Sequence, residues 1–128
     1  MPHLIIEYTD NLKDAIHISD LLEKVNQVLI SKSDIFPIGG IRSRAIELHH
    51  YRIADGAEDD AFVHVTLKIG AGRSEKEKKE TCDQLFEVIK DHFAAEFAKR
   101  YLALSLELVE FSETGTYKHN NIHKRFRT

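Results

Sequence analysis

Residues 61–77 read AFVHVTLKIGAGRSEKE. The first nine alternate, putting Val63, Val65, Leu67 and Ile69 on one side and His64 on the other. Period-two alternation marks a strand, because successive side chains leave its two faces in turn. Gly70-Ala71-Gly72 then breaks the pattern. Ser74 and Glu77 have the spacing of a capping box, the hydroxyl taking the helix's third amide and the carboxylate reaching back. Beyond it Cys82, Phe86, Ile89, Phe93 and Phe97 continue as a helical stripe. LALSLELVEF (102–111) closes the unit with Leu102, Leu104, Leu106 and Leu108 on one strand face.

The same strand–helix–strand order precedes it. HLIIEY (3–8) alternates, with Leu4, Ile6 and Tyr8 on one side. Ile18, Leu21, Leu22, Val25, Val28 and Leu29 follow helical spacing, and either Asn11 or Ser19 can cap that helix. SKSDIFPIGG (31–40) is a loop, IRSRAIELHHYRI (41–53) a second strand and ADGAEDD (54–60) a polar turn. The expectation is a single domain over 1–128, with pseudo-repeats at about 1–57 and 58–111 and a tail at 112–128. A helical crossover makes each strand pair parallel and right-handed. The predicted fold class is α/β, an α+β two-layer sandwich of a four-stranded mixed sheet with two helices on one face. The other face is expected to carry Leu and Ile from the first and last strands, which calls for a covering partner such as further copies of the chain.

Composition narrows the function. Apolar residues make up 42% and charged residues 30%, which excludes disorder. Glu7, Ser105 and Glu107 interrupt the apolar runs, so no membrane span is expected. There is no secretory signal pattern, and Cys82 is the lone cysteine, so a reducing, cytoplasmic setting is expected. The net charge is −3 with both signs interspersed, which argues against nucleic acid. The one cationic excess is the tail, KHNNIHKRFRT, whose Ile122 and Phe126 are candidates to anchor it on a neighbouring subunit. A site for anions must therefore gather its cations locally.

Several stretches admit two readings. GAGRSE is neither a P-loop nor G-x-G-x-x-G, since Glu75 stands where the third glycine belongs. It is either a strand-to-helix turn or an anion site beside a helix start, with Arg73 facing it. Arg42 and Arg44 share a strand face, as a solvated edge or as a carboxylate clamp. His64 is a packed or interface histidine, and Cys82 belongs to the helix core. His119 and His123 stand four apart and His49–His50 are adjacent, but no H-E-x-x-H or Cys/His pairing supports a metal, and there is no cofactor fingerprint. Pro2, directly behind Met1, is a spacer or a working N-terminus. Freed of Met1 it is a secondary amine, and desolvation or nearby cations lower its pKa toward that of a base able to return its proton.

MPH, FPIGGIRSR, ADG, AFVHVTLKIGAGRS, LFEVIKDHF, LALS and the NNIH of the tail together resemble the 5-carboxymethyl-2-hydroxymuconate Δ-isomerase family, in the tautomerase superfamily with an N-terminal catalytic proline. The resemblance runs nearly end to end. It implies a homotrimer and an isomerase of homoprotocatechuate (4-hydroxyphenylacetate) meta-cleavage, with a polycarboxylate dienol as substrate and no cofactor or metal. It implies Pro2 as the general base and acid, Arg42 and Arg73 as catalytic and substrate-binding residues, and Arg44 as a further substrate-binding residue. Pro2 would take the 2-hydroxyl proton and return one to the far carbon of the diene, while the arginines meet the developing charge. The alternatives are another proline-dependent enzyme of the superfamily, a dehalogenase or decarboxylase, and a non-enzymatic trimeric binding protein of the same fold.

Overall fold

The structure, a computed structural model, describes residues 1–126. Its elements are β1 (His3–Thr9), α1 (Ile18–Ile30), β2 (Arg42–Leu48), β3 (Ala61–Gly70), α2 (Glu75–His92), α3 (Ala94–Lys99) and β4 (Leu102–Phe111), with short 3-10 turns between and after them. The sheet order is β2-β1-β3-β4. β1 and β2 are parallel, β3 and β4 are parallel, and β1 meets β3 antiparallel. Two strand–helix–strand units thus join along β1 and β3.

The core lies between the sheet and the helices. Leu4, Ile6, Tyr8, Val63, Val65, Leu67 and Ile69 meet Leu21, Val25 and Leu29 of α1 and Leu85 and Ile89 of α2, all buried. β4 aligns Leu104 with Val63, Leu106 with Val65 and Leu108 with Leu67, so its leucines also face the helices. This corrects the expected far face, because period two leaves no leucine of β4 for it. The far face instead mixes Ile5, Ile46 and Phe62 with Arg44, Glu7, His64 and Glu107. His64 lies there, its Nδ1 2.6 Å from Ser105 Oγ.

Neither expected residue caps α1. Its N-cap is His17, in the left-handed region at φ 48, ψ 62, with no side-chain cap bond. Ser19 is already inside the first turn. Asn11 donates through Nδ2 to Asp59 Oδ1 at 3.0 Å and to the Asp60 carbonyl at 2.8 Å, tying the end of β1 to the start of β3. β2 stops at Leu48 rather than Ile53, because the chain beyond is drawn to Asp10. Tyr51 OH donates to Asp10 Oδ1 at 2.8 Å, and His49 Nδ1 lies 3.1 Å from Oδ2.

The capping box of α2 forms, with Glu77 N–H donating to Ser74 Oγ at 3.1 Å and Ser74 N–H to Glu77 Oε1 at 3.0 Å. The core stripe, however, is Thr81, Leu85 and Ile89, leading to buried Phe93. Cys82 only flanks this core, half-buried. The helix breaks at Phe93 (φ −100, ψ 11) and α3 restarts beyond it, so the helical phase is lost and Phe97 is 60% exposed. Among the described residues no helix is long and apolar enough to cross a membrane.

Leu85→Ala is expected to lower stability by about 2–5 kcal/mol, as for other buried leucines. Ser74→Ala should cost about 1 kcal/mol for the lost cap. Urea unfolding at one fixed chain concentration checks both, and the reverse order would contradict the stripe.

Candidate active site

The strand directions bring the starts of β1 and β2 to the same end of the sheet as the ends of β3 and β4. Pro2 is buried there. Its carbonyl accepts from Arg42 N–H at 3.1 Å, opening the β1–β2 ladder. Arg42 and Arg44 leave β2 on the face away from the helices, as their spacing required. His3 pairs with Arg42 on one side and Lys68 on the other. Arg44 is exposed, and its Nη1 lies 3.2 Å from His3 Nδ1. Arg42 makes only a long contact, 3.5 Å, to the Gly40 carbonyl.

Arg73 arrives from the turn after β3. Gly72 sits at φ +113, which a side chain rarely tolerates, and this lets the chain double back into α2. The guanidinium then donates through Nη1 to the Gly70 carbonyl at 2.9 Å and through Nη2 to the Ile35 carbonyl at 3.0 Å. Its carbon stands 4.8 Å from the centroid of the Phe36 ring. The turn reading of GAGRSE therefore holds, and the turn brings the Arg73 cation to the sheet end. Arg73 Nε is buried without a partner.

Two adjoining clefts of about 350 Å³ each open at this end. Arg73 and Glu113 line the first, and His3, Arg44 and Lys68 line the second. Met1, Phe111, Thr116 and Lys118 belong to both, so Met1 stands where the two meet. Partial burial holds the Met1 amine below the usual α-amine range, and Lys118, Arg73 and Arg42 depress it further. Burial likewise lowers His3, followed by the charges of Arg44, Arg42, the N-terminus and Lys68. A protein of net charge −3 thus presents a positive pocket. The wider depression lined by residues of α1 and α2, about 600 Å³, gathers Asp20, Glu23 and Asp91 and suits an anion poorly.

The structure brings Pro2, Arg42, Arg44 and Arg73 to one end of the sheet. Sequence reasoning missed His3, Lys68, Phe111 and Lys118. The register of β1 against β3 would have found Lys68, and the cationic tail was the signal for Lys118. Within its own chain that tail is held at the Gly39 loop. Asn120 Nδ2 donates to the Gly39 carbonyl at 3.0 Å. His123 packs so tightly on Gly39 that a Cβ there would lie 2.7 Å from its Nδ1. Ile122 and Phe126 remain 40% and 43% exposed. Among the described residues no group of three His, Cys, Asp or Glu side chains converges as a metal site would.

Comparison with known proteins first defines the class. A solved fused 4-OT symmetric trimer shares the fold at a TM-score of 0.60 and 18% identity, over 88% of this chain and 87% of that one. Much nearer, a crystal structure of a 5-carboxymethyl-2-hydroxymuconate isomerase from Deinococcus radiodurans R1 is 61% identical, with a TM-score of 0.95 over 99% of this chain and 95% of its own. The 5-carboxymethyl-2-hydroxymuconate Delta-isomerase of Escherichia coli is 46% identical over 99% of this chain and 100% of its own length. The family model described as 5-carboxymethyl-2-hydroxymuconate isomerase matches residues 2–126. The chain belongs to the 5-carboxymethyl-2-hydroxymuconate isomerase family.

In chain that retains Met1, the terminal amine should titrate below the ordinary range of about 7.7–8.0. Lys118→Ala should raise that midpoint, since it removes a cation that disfavours the ammonium. Labelling of the amine as a function of pH reads both; a midpoint that Lys118→Ala leaves in place would contradict the electrostatics.

Proposed function

We propose that this protein is a 5-carboxymethyl-2-hydroxymuconate Δ-isomerase that works through Pro2 once Met1 is removed. The observation that carries the reading is the setting of the chain's first amine, partly buried and depressed by Lys118, Arg73 and Arg42. In the Met1–Pro2 amide the proline nitrogen has no basic lone pair. Removing Met1 frees a secondary amine at the same sheet end and takes away the residue standing between the clefts.

Desolvation and cations disfavour the protonated amine, so the free proline holds its lone pair near neutral pH. Pro2 removes the 2-hydroxyl proton of the dienol. Electrons move through the conjugated chain, the oxygen becomes a ketone, and Pro2 delivers a proton to the far carbon of the diene. Arg42 and Arg73 bind the adjacent carboxylate and stabilise charge building on the oxygen, and Arg44 binds substrate further along β2. Arg73 suits this because backbone carbonyls already orient its plane, leaving little reorganisation for the reaction.

The active assembly in this reading is a homotrimer working in the cytoplasm on a soluble polycarboxylate. Support comes from the free outer edges of β2 and β4, from exposed Ile46, Phe97 and Tyr101, and from the trimeric state of the fused 4-OT. Glu113 gives the water-activating alternative a foothold, since it lines the first cleft. Product mass separates the two readings, because isomerisation conserves the mass of the substrate, whereas activated water adds to it or displaces a substituent.

Ultraviolet absorbance of the carboxymethyl-hydroxymuconate dienol should show ketonisation in proportion to the processed chain found by intact mass. Full activity with Met1 retained would remove Pro2 from its role. Arg73→Ala should lower turnover by about 10²–10³, the usual effect of losing a charge-stabilising donor. Cys82→Ala should leave it near wild type, and equal losses in folded variants would count against the site. Light scattering at micromolar concentration should give three times the chain mass; a stable monomer would refute the trimer.

A further inference from the structure

The cations around Met1 exceed what the carboxylate beside the reacting oxygen requires. Several cations elsewhere find acids: Lys78 with Glu75 at 2.6 Å and Glu110 at 3.2 Å, Lys90 with Glu87 at 2.8 Å, Arg100 with Asp59 at 3.3 Å. Among the described residues no such pair involves Arg42, Arg44, Lys68, Arg73 or Lys118. These charges are also divided in space. Arg73 belongs to one cleft, Arg44 and Lys68 to the other, and Lys118 to both.

The second cleft has a definite polarity. Arg44 can only donate, so His3 Nδ1 accepts at 3.2 Å and the ring is neutral with its hydrogen on Nε2. Burial and the surrounding cations hold His3 in that form. Arg44 is thus partly engaged, while Lys68 is exposed on the same face as a compact point charge.

The proposed substrate has matching asymmetry. Its hydroxyl end carries one carboxylate. Its far end carries two, because the carboxymethyl branch sits beside the terminal carboxylate. With the hydroxyl end at Arg73 in the first cleft, the far end extends past the position of Met1 toward the other cleft. We infer that the Arg44–Lys68–Lys118 cleft is a separate seat for the paired distal carboxylates, and that Lys68 is the residue that makes the enzyme prefer the branched tricarboxylate over unbranched 2-hydroxymuconate. This inference rests on the isomerase reading.

The test compares kcat/KM for the two dienols. Lys68→Gln is expected to lower the ratio of branched to unbranched substrate about tenfold, the scale of one charge-assisted hydrogen bond, chiefly through KM. Lys68→Arg should restore most of the ratio, and Lys79→Gln, on the outer surface of α2, should leave it unchanged. Calorimetric affinities of propane-1,2,3-tricarboxylate and glutarate at fixed ionic strength supply a readout independent of turnover, with the same change in ratio expected. If wild-type protein isomerises neither dienol, the isomerase reading fails while the affinity ratio still judges Lys68. Equal losses for both ligands, or no loss, would overturn the assignment.

Discussion

The antiparallel seam between β1 and β3, running from His3 against Lys68 to Tyr8 against Val63, is the constraint on which the rest of the structure depends. Each strand–helix–strand unit alone has a two-stranded sheet and one long helix, too little to enclose a core. Joined at the seam they form one continuous sheet, and residues of both repeats enter a single buried cluster. The seam also fixes direction. Because the two strands run opposite ways, the start of one repeat meets the end of the other strand, and the first residues of the chain lie beside the Gly70–Arg73 turn.

That arrangement concentrates charge without making the protein basic. β2 brings Arg42 and Arg44, β3 brings Lys68, the turn after it brings Arg73, and the tail brings Lys118. These residues are far apart in sequence, while five lysines of α2 and α3 are spent in local helix pairs such as Lys90–Glu87 and Lys99–Glu96. Helix pairs of this kind contribute only tenths of a kcal/mol in water. The unpaired cations at the sheet end are held mainly by strand backbone and, for Arg73, by two carbonyls and an aromatic face. The core supplies the stability that mutual repulsion at this end opposes.

The strands were legible in sequence because alternation is local. β1, β3 and β4 match their patterns closely, and the capping box at Ser74 located the start of α2. The failures came where distant partners decided the outcome. Asn11 resembled a cap but serves Asp59 and Asp60, and the end of β2 was set by Asp10. The α2 stripe slipped by one residue, since Thr81 and Leu85 take the buried positions that Cys82 and Phe86 suggested, and the break at Phe93 freed Phe97. For the candidate site, the single-sequence reading singled out Pro2 and the arginines through motifs and the family resemblance they carry. Lys68 and Lys118 needed the strand register and the return of the tail, which no short stretch encodes.

Gly39 shows how closely chain ends and site are joined. Its missing side chain is the space that His123 fills, and its carbonyl holds Asn120, two positions beyond Lys118. The neighbouring Gly40 lies against Met1. One glycine pair therefore serves as a shared bearing surface for both ends of the polypeptide. For protein engineering this makes residues 39 and 40 poor choices for variation despite their place in a loop. A bulkier residue at 39 would unseat the tail and withdraw Lys118 from both clefts, changing their charge without altering any residue that lines them.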